Sequence, residues 1–351
     1  MTDAMPASAC RLLSRAECAL WLQTHNQYLI LCHAHPDGDT LGAGMGLRNL
    51  LRVMGKTAHL VCASPIPERL AFLTEERTQC TPEQLPAGFE WETVVTVDVA
   101  SVPLLGDYAE RFGGAVHLAI DHHGTNTLFA EAACVDGTLS ACTELICNLG
   151  EEIFGWNDTD RLMPPEIAVP LYAGLLTDSG SFQYGAVTPR THRRAAAMLA
   201  SVQNAGLSHA RIAERLWGSR PLPQVMAAKA AYEDLRFFCG GRVSLVTFTP
   251  KTMETYHLTD EDIDDVINLI RGIAGVRAAV HLKPRGEGVY KLSLRCAEGF
   301  NVARVAARFG GGGHACAAGC TIEGDAASAE AAIISALEEA LAEESSGEAC
   351  N

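Results

Sequence analysis

Residues 28–32, Tyr-Leu-Ile-Leu-Cys, form an unbroken apolar run, and strand-like runs recur at Thr57–Ala63, Thr93–Val99 and Ala115–Ile120. Runs without polar alternation mark strands buried on both faces, as in parallel sheets. Stretches with helical spacing lie among and after them, at Gly42–Met54, at Leu139–Leu149 beyond the Asp136-Gly137 turn, and at Glu166–Thr177. The alternation predicts an α/β domain with a parallel sheet over residues 1–185. Thr188-Pro189 then pairs a hydroxyl N-cap with proline at the first helical position. Ser208 opens a second helix and Pro223 lies near the start of a third, so residues 186–240 read as a helical connector. From residue 241 the pattern changes. Val243–Thr249 is a strand, Asp260–Arg271 a helix with acids in its first turn, and Val276–Lys283 with Val289–Cys296 a hairpin across Arg285-Gly286-Glu287-Gly288. An alanine-rich amphipathic helix, Ala326–Glu343, closes a smaller α+β domain spanning 241–351.

Composition narrows the classes. At 351 residues the chain exceeds one ordinary core, which agrees with two domains. It is 48% hydrophobic and 20% charged, no apolar run is long enough to span a bilayer, and the acidic start Met1-Thr2-Asp3 is unlike a secretory signal. Thirteen cysteines are scattered singly, with no Cys-x-x-Cys pair; Cys32 and Cys147 lie in apolar runs, where a buried reduced thiol is expected. A cytoplasmic location follows. The formal net charge of −15 argues against gripping long duplex nucleic acid, although the basic stretch 188–242 could hold a short anionic substrate.

Candidate chemistry gathers at the ends of these elements. His33-Ala34-His35-Pro36-Asp37-Gly38-Asp39 ends the first apolar run, Asp98 ends the third, Asp121-His122-His123 follows Ile120, and Asp178 follows Leu175-Leu176-Thr177. One such acid is often only a helix cap; four clusters at the carboxyl ends of elements, where open α/β sheets place ligands, point to metal. Carboxylates and imidazoles without thiolates suit Mn2+, with Mg2+ or Co2+ as alternatives. Six candidate ligands are too many for one ion. Two ions bridged by one aspartate and a hydroxide would employ all six and supply a nucleophile for in-line attack on phosphorus.

Asp121-His122-His123, with the His33-x3-Asp37-x-Asp39 element, Asp98 and Asp178 in this order, resembles the DHH phosphoesterases. Phe309-Gly310-Gly311-Gly312-Gly313-His314 resembles the Gly-rich element of the DHH-associated C-terminal domain, so the likeness spans about residues 28–322. The resemblance implies a Rossmann-like catalytic domain joined to a smaller domain, with the active site in the cleft between them. It implies that His33, Asp37 and Asp98 hold one metal and that Asp39, Asp98, His122 and Asp178 hold the other, with Asp98 as the bridge. By the same likeness Asp121 orients a histidine, His123 faces the substrate phosphate, and Asp121, His122, His123 and His314 form the catalytic set. Ser293, Arg295, Gly311, Gly312, Gly313 and His314 join His123 in binding substrate. Glycines let backbone N–H groups approach an anion, and the fork of Arg295 suits phosphate oxygens. Ala43 stands where many relatives carry serine, and His35 has no assigned role.

Within that family, residues 242–351 give no barrel pattern like the oligonucleotide-binding module of RecJ-type exonucleases, no transmembrane or sensory part like those of the cyclic-dinucleotide phosphodiesterases is expected, and the Gly-rich element differs from the second domain of family II pyrophosphatases. It is most similar to the compact NrnA-like oligoribonucleases. The expected activity is Mn2+-dependent hydrolysis of short oligoribonucleotides and dinucleotides to mononucleotides, with 3′-phosphoadenosine 5′-phosphate as a further substrate. Short single-stranded RNA and small nucleotides are the expected partners; a homodimer is left open. Alternatives are a cyclic-dinucleotide phosphodiesterase, a phosphomonoesterase or pyrophosphatase acting on a small phosphate, and a nucleotide-binding regulatory protein without turnover.

Overall fold

The computed structural model describes residues 10–74, 81–218, 220–286, 288–297 and 299–348. Two compact units, residues 1–219 and 220–351, divide the chain. The first contains β1 (Arg11–Leu12), α1 (Arg15–Thr24), β2 (Tyr28–Leu31), α2 (Gly38–Val53), β3 (Ala58–Val61), β4 (Thr93–Val97), α3 (Ala109–Phe112), β5 (Leu118–Asp121), β6 (Ala132–Val135), α4 (Cys142–Phe154), α5 (Pro165–Asp178), α6 (Pro189–Asn204) and α7 (His209–Trp217). The second contains α8 (Leu222–Asp234), β7 (Arg236–Phe238), β8 (Val243–Thr247), α9 (Pro250–Thr255), α10 (Asp260–Ile263), α11 (Val266–Arg271), β9 (Ala278–Pro284), β10 (Val289–Cys296), α12 (Val302–Ala307), β11 (Gly312–His314), β12 (Ala317–Glu323) and α13 (Ala326–Glu348). Of the three helices expected between the domains, α6 and α7 belong to the first unit and α8 to the second. No helix among the described residues is long and apolar enough to cross a membrane.

The first sheet runs β1-β6-β5-β4-β2-β3, with every neighbouring pair parallel. All of β2 is buried because both faces are covered: Tyr28 and Ile30 join the core under α1, α2, α4 and α5, while Leu29 and Leu31 pack with Val61, Val94 and Phe112. Each such aliphatic side chain contributes about 1.5–3 kcal/mol by leaving water. Cys32 and Cys147 are buried free thiols in the first of these cores. Strands β1 and β6 escape the sequence pattern, since β1 has only two residues and the four apolar residues of β6, Ala-Ala-Cys-Val, include a single β-branched one.

Helices α2 and α5 cross at close range, and small residues permit it. A Cβ on Gly42 would stand 2.5 Å from the Pro170 carbonyl oxygen, and one on Gly174 would stand 2.8 Å from the Gly38 carbonyl oxygen. Pro170 cannot return an N–H to the Glu166 carbonyl one turn back. Asn49 of α2 replaces that donor, its Nδ2 lying 2.7 Å from the Glu166 oxygen. The crossing thus fixes the first turn of α2 against the last turn of α5.

The second sheet runs β11-β12-β10-β9-β8-β7, antiparallel except for β8 with β9. Alternation along β10 sends Tyr290, Leu292, Leu294 and Cys296 into a core with α12 and α13, leaving Lys291, Ser293 and Arg295 on the other face. The hairpin forms as the pattern predicts, whereas the single helix expected over 260–271 is two short ones, α10 and α11.

Candidate metal centre and active site

Helix α2 begins at Gly38, a full turn before the predicted Gly42, because Asp37 caps it: its Oδ1 accepts from the Asp39 N–H at 2.9 Å and the Thr40 N–H at 3.0 Å. The motif therefore folds back on itself at the end of β2 and delivers His33, Asp37 and Asp39 to one place. Thr40 ties this turn to the neighbouring strand, donating to the Val97 carbonyl at 3.3 Å. Asp98 follows at the end of β4 with φ +58°, a left-handed backbone that costs a non-glycine residue about 1 kcal/mol. Asp121 is the last residue of β5 and His122 follows it. Asp178 comes from elsewhere than a strand: it is the last residue of α5, placed by the crossing with α2.

His122 Nδ1 lies 3.3 Å from the Leu139 carbonyl, which can only accept, so Nδ1 is the donor there and Nε2 is the nitrogen turned toward the carboxylates. That Nε2 faces Asp178 Oδ2 at 3.4 Å, Asp98 Oδ1 at 3.6 Å and Asp39 Oδ2 at 3.8 Å. His33 Nε2 is 3.6 Å from Asp98 Oδ2 and 3.7 Å from Asp37 Oδ1. These gaps are too long for hydrogen bonds. They approach the separation of two atoms bound to one ion, about 3.0–3.5 Å for bonds near 2.1 Å. Three sets of donor atoms can each hold a cation: His33, Asp37 and Asp98; Asp98, His122 and His123; and Asp39, His122 and Asp178. Asp98 and His122 are each shared between two sets. Asp98 Oδ1 is buried and has no hydrogen-bond partner, the orphaned acceptor that a cation would satisfy. The donors fit the expected metal.

Electrostatics agree with the geometry. Burial and then the Asp39 charge push the Asp98 carboxyl up to about 7, and burial with the Asp39 and Asp98 charges pushes Asp178 up to about 9. Asp39 is raised as well, chiefly by burial. Burial would lower the His33 imidazole, but Asp37 and Asp98 outweigh it and push it up to about 10. Carboxylates crowded this closely repel one another until protons or cations intervene.

Asp121 is fully buried and plays a different part. It accepts from His123 Nδ1 at 2.8 Å, from Asn126 Nδ2 at 2.7 Å and from the His122 and His123 backbone. Burial would raise its pKa, yet His123 and Asn126 hold it below the usual carboxylate range. His123 in turn is raised, first by its bond to Asp121. Asn126, Thr40, Cys142 and Thr143 escape a reading of the sequence. Asn126 and Thr143 carry one faint signal, a polar residue beside the motif or inside a predicted helix.

The remaining predicted residues lie on the second unit. Ser293 and Arg295 share one face of β10, partly exposed, with Arg295 Nη1 donating to the Leu294 carbonyl at 3.0 Å. The Gly-rich segment forms strand β11 against β12. Gly311 and Gly313 are required there by packing as well, since a Cβ would fall 2.2 Å from the Gly319 oxygen and 2.4 Å from the Ala317 oxygen respectively; Gly312 faces open space. The His314 backbone pairs with Ala317, and its side chain lies outside the described residues.

A family model described as DHH family, N-terminal domain, matches residues 27–175, and one described as DHHA1 domain matches residues 247–343. The chain is 34% identical over 320 residues to the bifunctional oligoribonuclease and PAP phosphatase NrnA of Thermus thermophilus, covering 89% of each. It is 26% identical over 305 residues to the protein of that name from Mycoplasma genitalium, covering 86% of this chain and 90% of the other. In fold it is similar to an exopolyphosphatase-related protein from Bacteroides fragilis, with a TM-score of 0.82 at 19% identity over 97% and 98% of the two chains.

Proposed function

From the premise that this chain belongs to the DHH phosphoesterase family, carries a DHHA1 domain and is a phosphoric ester hydrolase, we propose that it degrades short oligoribonucleotides and dinucleotides to mononucleotides and also dephosphorylates 3′-phosphoadenosine 5′-phosphate. The observation that carries the reading is the convergence of donor sets on Asp98 and His122, with the orphaned oxygen of Asp98 at their junction. Likeness to relatives named as oligoribonuclease and PAP phosphatase supports the substrate class.

His33, Asp37 and Asp98 would hold one divalent cation, and Asp39, His122 and Asp178, with Asp98 between, a second; oxygen and imidazole donors favour Mn2+. When bound, such ions neutralise phosphate charge and acidify water. The protein's own contribution is orientation. His122 offers Nε2 because Leu139 holds its other nitrogen. Asp121, itself held by Asn126, fixes His123 and favours its protonated form, which suits it to bind a phosphate oxygen or to hold a proton near the leaving group. Ser293, Arg295, Gly311, Gly312, Gly313 and His314 would bind the substrate, and buried free thiols suit a cytoplasmic setting.

The test is a comparison of kcat/KM in Mn2+ across pApA, pGpG, a five-nucleotide RNA, 3′-phosphoadenosine 5′-phosphate, cyclic di-AMP, pyrophosphate and a long single strand. Dinucleotides and the short RNA should lead. Equal turnover of the long strand, or preference for pyrophosphate, overturns the reading.

A further inference from the structure

The first turn of α4 grips Asp39 with three donors. The Thr143 N–H and Oγ1 donate to Asp39 Oδ1 at 3.0 and 2.7 Å, and the Cys142 N–H donates to Oδ2 at 2.6 Å. Oδ2 is also the oxygen that meets His122. Asp39 and Thr143 are both buried, so water cannot replace a lost donor cheaply. The Thr143 methyl plays a separate part by filling the α2–α5 crossing, 3.0 Å from where a Cβ on Gly42 would stand and 2.5 Å from one on Gly174. Hydroxyl and methyl can therefore be tested apart.

We propose that Thr143 is a positioning residue whose hydroxyl aims Asp39, and that it sets the cation affinity of the Asp39–His122–Asp178 group while leaving the His33–Asp37–Asp98 group intact. This rests on the two-ion reading above. Thr143 bonds to Asp39 alone among the candidate ligands, and Asp39 belongs to only one of the two groups. Losing a residue that orients a ligand typically weakens metal binding by about 10–100-fold.

The experiment titrates Mn2+ into metal-stripped full-length protein by calorimetry, alongside circular dichroism. Wild type should take up two ions. Thr143→Val keeps the methyl and should weaken one binding event about tenfold or more while the other stays near wild type; Thr143→Ser, which keeps the hydroxyl, should restore both. If the valine variant does not fold, Thr143→Ser against Thr143→Ala makes the same comparison, with the hydroxyl as their difference. A wild type that binds fewer than two ions overturns the two-ion reading and the Thr143 assignment together. A wild type that binds two ions, with a valine variant that matches it or loses both events equally, overturns the Thr143 assignment alone.

Discussion

Gly42→Ala drives one methyl group into the crossing that brings Asp39 and Asp178 together. Its Cβ would stand 2.5 Å from the Pro170 carbonyl oxygen, 3.0 Å from the Thr143 methyl and 3.2 Å from Gly174 Cα, where ordinary contact begins at 3.4 Å. Two of the three obstacles are backbone of α5, so relief requires the helices to part by roughly 0.9 Å rather than a side chain to turn. Overpacking of this kind costs about 1–3 kcal/mol, and backbone contact places this case in the upper part of that range. Alanine recovers about 1 kcal/mol through its helix propensity. The net loss is about 1–2 kcal/mol, a fall in Tm of about 3–6 °C for a unit of this size. The same displacement should loosen the Asp39–His122–Asp178 group and weaken Mn2+ binding about tenfold. Scanning calorimetry and Mn2+ titration read the two effects. Gly44→Ala is the control, because its Cβ meets the far end of the Leu60 side chain at 2.6 Å, which can move, and it should lose less of both. A Gly42→Ala protein that melts at or above wild type with unchanged Mn2+ affinity would refute the claim that this crossing sets the site.

Asp98→Gly should abolish hydrolysis while leaving Tm unchanged or raised by a few degrees, since it relieves a left-handed backbone worth about 1 kcal/mol and removes a crowded carboxylate; a large drop in Tm contradicts this. Asn49→Ala strands the Glu166 carbonyl and should cost about 1–3 kcal/mol in urea unfolding, a loss that a silent variant would disprove. Without metal at pH 7, His33 and Asp178, both pushed well above that pH, hold protons, and burial with the Asp39 charge raises Asp98 as well. Cation uptake must expel them, so Mn2+ affinity should rise with pH from roughly 6 to 9, and calorimetric enthalpies should depend on the buffer's ionisation heat; buffer-independent enthalpies count against it. Asn126→Ala removes a donor from Asp121 and should lower kcat about tenfold with little change in Mn2+ affinity, whereas an equal loss of both would place Asn126 in the metal site instead.

Some of this is legible in the chain alone. The runs at Tyr28, Thr93 and Ala115 announce buried parallel strands because a strand covered on both faces has no polar alternation to hide it. The start of α2 is hidden because its first turn is made of Asp37, Gly38, Asp39 and Thr40, polar residues that look like loop until the Asp37 cap is seen. The break between α10 and α11 and the three-residue strand β11 leave too little local pattern to read, and β12, though seven residues long, opens on Ala-Ala-Gly, with little apolar bulk to mark it.

Residue chemistry alone determined that this protein gathers carboxylates and imidazoles at the ends of its elements, and that such a set suits a hard divalent cation. Donor type is a property of each side chain and survives in one dimension. Tertiary structure decided which donors lie close enough together to share an ion, why Asp98 and His122 belong to two sets, and why Asp121 serves His123 instead. It also decided that Asp39 is aimed by Thr143, a partner far away in the chain. Such pairings depend on how closely α2, α4 and α5 can approach, and that distance is set by small residues and a missing N–H in the crossing, which no local pattern of polarity records.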